Sequence, residues 1–208
     1  LYCARKLPET TVPVGRGVNE PRIAYSATLL CAYLGSLALG VGVGVTRNYV
    51  SALALLLGAT VIAPLLAAFS VGAIVQRAFF GFIPDRIGAQ RATFLSLLVY
   101  GVAVLALAGG SGQVVFVALC VVVGLAHGTA YPAVSLLAIQ EVGSNARGRV
   151  TAHITGAFNL GLLLSTAGLA PLAPTLGFRA LIACGGLTLL LVAACLSGPT
   201  GMIGTTRK

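Results

Sequence analysis

The chain has 208 residues, 58% of them hydrophobic and 8% charged, with 13 Lys and Arg against 4 Asp and Glu for a formal net charge of +9; its mean hydropathy is +1.01. A soluble domain carries about 25% charged residues, so the composition excludes an ordinary soluble protein and points to an all-α membrane protein whose first partner is the lipid bilayer. The positive balance does not mark a nucleic-acid partner: no basic helix face with interleaved aromatics occurs, and the cations stand at the ends of apolar segments.

Residues 1–22 are polar and broken by Pro8, Pro13, Pro21, Gly15 and Gly17, which predicts a linker. This opening stretch lacks the apolar core of a signal peptide, and the chain is expected to start in the middle of a longer one. Six largely apolar stretches of roughly 20 residues follow, each long enough to cross about 30 Å of hydrocarbon at 1.5 Å per residue. They are placed at 23–46, 59–82, 92–108, 114–139, 150–172 and 178–196, so that 23–197 forms a six-helix transmembrane bundle and 198–208 a tail. The stretch "RNYVSALALLLG" admits two readings: a turn at Arg47 and Asn48, or a first helix that continues through Arg47. The turn is favoured, because a charge beyond 22 apolar residues is cheapest at the far interface. The separators "GGSGQ", "QEVGSNARGR" and "APTLGFR" are rich in Gly, Asn, Ser or Pro.

Orientation follows from the cations. With 1–22 cytoplasmic, that side receives Arg5, Lys6, Arg16, Arg22, Arg77, Arg86, Arg91, Arg147, Arg149, Arg207 and Lys208, leaving Arg47 and Arg179 opposite. Such a bias satisfies the positive-inside rule and puts both termini of the chain in the cytoplasm. The five cysteines, Cys3, Cys31, Cys120, Cys184 and Cys195, show no C-x-x-C spacing and no paired histidines, so they read as small hydrophobes and no metal is indicated.

The ions gather in "GFIPDRIGAQR", residues 81–91, between two closely spaced helix ends. Asp85 is suited to accept hydrogen bonds from a helix N-terminus, and Arg86 and Arg91 to face the anionic leaflet or helix carbonyls. Gly81 and Gly88 permit turning and close approach, and Arg77, a turn earlier, is expected to snorkel or to pair with the acid. This stretch resembles the loop signature of the major facilitator superfamily, G-x-x-x-D-R-x-G-x-x-R, with Gly81, Asp85, Arg86, Gly88 and Arg91 on the matching positions. "GLAHGTAYPAVSLLAIQEVGSNARGR" and "AFNLGLLLSTAGLAPLAPTLGFRA" resemble, in order and spacing, the later helices of its drug- and sugar-efflux members, and "RKLPET" the end of their sixth helix.

The resemblance implies the C-terminal six-helix half of a twelve-helix transporter. In such transporters two bundles rock about a substrate site near the bilayer midplane. It further implies an inner or plasma membrane location, a small-molecule substrate, and export coupled to proton entry. The N-terminal six-helix half would be the partner, and the loop acid Asp85 would be held by a helix of that half.

Polar residues inside spans are costly and are functional candidates by default. His127 stands near the middle of the fourth span, with Tyr131 one turn on along the same face; both are substrate-cavity candidates, as is Asn159 in the fifth. A neutral histidine bonded to a neighbouring helix is the plainer alternative for His127. His153, Tyr33, Ser36, Ser70 and Gln76 are weaker candidates, and Arg47 with Asn48 reads as an interface anchor or a guard of the outer mouth. Gly124 and Gly128 form a G-x-x-x-G helix contact, and Pro132 should bend the same helix. "GVGVG", residues 40–44, is a thin packing surface, since it lacks the preceding strand and later acid of a dinucleotide loop. No Asp or Glu lies inside a span, no phosphate-cradling loop is present, and no cofactor is indicated.

No catalytic residues are assigned. "GGSG", residues 109–112, fits the G-x-S-G pattern of rhomboid-type intramembrane proteases, but such a serine needs a histidine on a later helix within hydrogen-bond reach. His127 stands in the very next helix, well along its axis from Ser111. A non-transporting scaffold or truncated half would use the same packing glycines and loop charges.

Overall fold

The computed structural model describes residues 26–58 and 62–197; the linker 1–22 and the tail 198–208 lie outside these. The described residues are helical, with no strand. The helices are α1 (Ala27–Val45), α2 (Ser51–Leu56), α3 (Ala63–Phe80), α4 (Ile83–Ile87), α5 (Ala89–Gly109), α6 (Gln113–Gln140), α7 (Arg147–Leu163) and α8 (Ala173–Ser197). Five continuous runs are long and apolar enough to cross a membrane: Ala27–Leu56, Ala63–Phe80, Ala89–Gly109, Gln113–Gln140 and Ser144–Ser197. A helix is the natural form for such sequence, because backbone amides in hydrocarbon must find their partners within the segment.

The favoured boundary at Arg47 is corrected. α1 passes through a π-helical turn, Thr46–Val50, into α2, giving one run of 30 residues that ends at Leu56. Arg47 therefore stands nine residues short of the helix end, where the turn reading would have put it at the interface.

The last run has 54 residues and would extend about 80 Å if straight. It reverses instead. Gly177 adopts φ 76° and ψ 159°, a backbone region open chiefly to glycine. Before it, α7 lies parallel to α1, with Tyr33 beside His153 and Tyr49 beside Ser165. After it, α8 lies antiparallel to α1, with Gly185 against Val45 and Leu189 against Gly42.

α6 runs antiparallel to α1, with Val134 facing Gly35 and Glu141 accepting from the Ser26 hydroxyl at 2.7 Å. α3 packs parallel to α6, and α5 and α8 pair antiparallel behind α1 and α6. The α5–α8 pair is tied at both ends, by Arg179 Nη1 donating to the Ala108 carbonyl at 2.7 Å and Gln90 Nε2 donating to the Leu196 carbonyl at 3.3 Å.

Small residues allow these contacts. Cβ atoms on Gly40 or Gly161 would overlap the backbone of the facing helix in the α1–α7 pair, and one on Gly124 would overlap the Phe69 carbonyl in the α3–α6 pair. A Cβ on Gly128 would come 2.8 Å from that of Gln76. The expected packing role of "GVGVG" appears here on two sides, since Gly40 and Gly44 face α7 while Gly42 faces Tyr100 and Leu189. Pro132 lies within the unbroken helix α6, where its missing N–H leaves the Gly128 carbonyl without its usual partner.

These directions gather the starts of α1, α5 and α7 and the ends of α3, α6 and α8 at one end of the bundle. Of the described cations, Arg77, Arg86, Arg91, Arg147 and Arg149 all belong to that end, whereas Arg179 belongs to the other. Large apolar side chains such as Ile74, Phe79, Val114 and Leu191 point outward from the bundle, each more than 60% exposed. An apolar outer surface of this kind suits a lipid environment.

Candidate functional site

α3 is carried on α6 and α7 on α1, and the two are not packed against each other. A groove results, floored by α1 and α6 and walled by α3 and α7. Several of the polar side chains singled out in the sequence as lying within spans meet along it.

At the midpoint of α6, the His127 ring lies among Phe69 of α3, Tyr100 of α5 and Phe158 of α7, with ring centroids 5.4, 6.1 and 6.2 Å away. Tyr131, one turn on, meets Phe158 edge-on at 5.5 Å, and its hydroxyl is 3.4 Å from the Thr155 hydroxyl of α7. Nearer the cation-rich end, the Tyr33 hydroxyl lies 3.3 Å from His153 Nδ1. Near the other end, the Arg47 guanidinium sits over the Phe69 ring, 5.7 Å from its centroid.

His127 Nδ1 is buried and has no hydrogen-bond partner among the described residues. Buried polar atoms without partners cost about 1–3 kcal/mol each, so a fold keeps them where something else demands them. The simpler expectation for His127, a bond to a neighbouring helix, is not met at this nitrogen. Asn159 is exposed on α7, and among the described residues no hydrogen bond engages its side chain. Ser36, by contrast, is structural: its hydroxyl donates to the Ile154 carbonyl at 2.7 Å and joins α1 to α7.

The charged loop is folded compactly. Pro84 enters the first turn of α4, and Gly88, with φ 87°, turns the chain from α4 into α5. Arg86 turns back over the Phe82 ring at 4.5 Å. Asp85 caps no helix here: it lies exposed in the first turn of α4, and among the described residues it neither accepts a hydrogen bond nor pairs with Arg77, the partner suggested for it. Gly81 and Arg91 flank the loop at the end of α3 and in the first turn of α5.

Ser111 lies in the turn between α5 and α6, and His127 stands about 21 Å further along α6 by helical rise. Among the described residues no cluster of His, Cys, Asp and Glu could hold a metal ion. A separate cavity of about 150 Å³, lined by Ala54, Leu57, Gly58, Gly112, Gln113 and Phe116, lies at the end opposite the cation-rich one and carries no ionisable side chain.

Sequence reasoning missed Phe69, Tyr100 and Phe158, which read as ordinary apolar residues, and it undervalued Arg47. The signal for Arg47 was present in the unbroken apolar run "YVSALALLLG" beyond it. A scan against protein-family models finds no match for the chain. Fold and groove together define an all-helical protein compatible with multiple membrane crossings.

Proposed function

We propose that the chain is the C-terminal half of a secondary transporter of the major facilitator type, which moves a small solute across a membrane by alternating access. On this reading the 54-residue run counts as two crossings, bringing the total to six, and the cation-rich end faces the cytoplasm. The observation that carries the proposal is the groove. In an apolar bundle, the polar residues His127, Tyr131 and Arg47 lie along one cleft between α3 and α7, where a second six-helix bundle would close over them. Polar groups placed so in lipid need water, solute or protein opposite them. The unpartnered Asp85 fits the same picture, as it awaits a helix N-terminus of the other bundle. Export driven by proton entry is the direction the sequence resemblance favours; this half offers no carboxylate within a span, so a proton-carrying acid would belong to the other half.

The test is a flux measurement. The chain joined to the six-helix segment encoded ahead of it is reconstituted in proteoliposomes, and a panel of small solutes is followed with and without an imposed pH gradient. Gradient-dependent flux of at least one solute, lost on closing the groove with His127→Trp, is expected. Absence of a six-helix segment upstream of Leu1, or flux indifferent to the groove substitution, contradicts the proposal.

A further inference from the structure

Among the described residues Arg47 is the one cation in the middle stretch of a helix-length spanning run, and its surroundings specify a ligand. The guanidinium has five N–H donors, yet among the described residues it makes no hydrogen bond and no ion pair; it lies over the Phe69 ring. Among the described residues no carboxylate serves it: Asp85 lies in α4, and Glu141, at the end of α6, is engaged with Ser26.

Lipid headgroups are also poorly placed to neutralise it. Arg47 stands about 8 Å past the midpoint of the Ala27–Leu56 run by helical rise, and a snorkelling side chain would extend further outward. It lies instead on Phe69, whose ring packs against His127 at the midpoint of α6, so the charge is directed toward the centre of the groove.

The backbone beneath it is specialised too. Arg47 belongs to the π turn Thr46–Val50, which packs against a second π turn, Leu164–Gly168, through the Tyr49 hydroxyl donating to the Ser165 carbonyl at 2.8 Å. Single π turns inside helices occur often at functional sites.

We propose that Arg47 is an anion-binding residue, and that the solute of this groove is an organic anion with a flat apolar body. The anionic group docks on the exposed guanidinium, and the body lies against the partly exposed rings of Phe158 and Tyr131. The identity of the bound species as transported cargo rests on the transporter reading; the anion site itself does not.

Benzoate serves as the probe, with benzylammonium and benzyl alcohol as cationic and neutral counterparts of similar body. Their apparent affinities are taken from the concentration dependence of the unfolding temperature, using the full chain in nanodiscs of zwitterionic lipid so that no anionic headgroup competes. Benzoate should bind at least about tenfold more tightly than either counterpart, and Arg47→Gln should lower its affinity by a similar factor while leaving benzyl alcohol unchanged. Arg47→Lys, which keeps the charge but loses the planar fork, should fall between. Equal binding of benzylammonium and benzoate by the unaltered chain overturns the proposal whatever the folding of the variants, as does Arg47→Gln binding benzoate undiminished. Benzoate binding that depends on Arg47, together with no solute flux in the reconstituted transporter, would sink the transport reading and leave the anion site standing.

Discussion

Gly40 of α1 and Phe158 of α7 are in backbone contact, so close that a Cβ on Gly40 would overlap the Phe158 carbonyl. The same contact holds the Phe158 ring against His127 and Tyr131. Gly40→Leu must therefore push α7 away from α1 and widen the groove. A loss of about 1–3 kcal/mol in stability is expected, whereas Gly156→Leu, at a site on α7 with open space beside it, should cost under about 0.5 kcal/mol. Reversible unfolding in mixed detergent micelles measures both, and equal costs would contradict this packing.

His127 should behave as a residue kept for function. Its Nδ1 has no partner to lose among the described residues, so His127→Phe should leave stability unchanged or raise it by about 1 kcal/mol. Solute flux should fall at the same time. A large destabilisation by His127→Phe, measured by the same unfolding assay, would mean that the imidazole is structural.

Ser36 makes the opposite prediction. Its hydroxyl donates to the Ile154 carbonyl at 2.7 Å, and interhelical hydrogen bonds of membrane proteins average about 0.6 kcal/mol. Ser36→Ala should cost about that much and leave flux intact; loss of flux at unchanged stability would move Ser36 into the solute path.

Asp85 has no partner within the described bundle, so Asp85→Asn should leave the stability of this chain within about 0.5 kcal/mol. In the joined transporter the same change should alter flux and shift the balance between inward- and outward-open states. Flux equal to the unaltered transporter would contradict the latch role assigned to this loop.

Much of the helical layout was legible because hydrocarbon imposes a length and forbids charge, and both constraints leave marks on the sequence. The separators at Gly109–Gln113 and near Glu141 were visible for that reason. The boundary at Arg47 failed by the same rule, since it assumes that a charge in a span seeks the interface; here the side chain rests on Phe69 inside the groove. His127, Tyr131 and Asn159 could be picked out because polarity in a span is conspicuous. Phe69, Tyr100 and Phe158 could not, because an aromatic ring facing a cleft and one facing lipid look alike in sequence. The stacking of π turns through Tyr49 and Ser165 depends on two distant segments meeting, which no local pattern encodes.

The account depends most directly on one end of the bundle collecting the cations and on that end facing a single aqueous compartment. Replacing the five native cysteines by alanine, and then introducing Arg86→Cys, Arg147→Cys or Arg179→Cys singly, allows labelling of intact cells with a membrane-impermeant maleimide. Arg86→Cys and Arg147→Cys should both be protected until the membrane is opened, while Arg179→Cys labels from outside. Labelling of Arg86→Cys and Arg147→Cys from opposite sides would contradict the topology and, with it, the transporter reading.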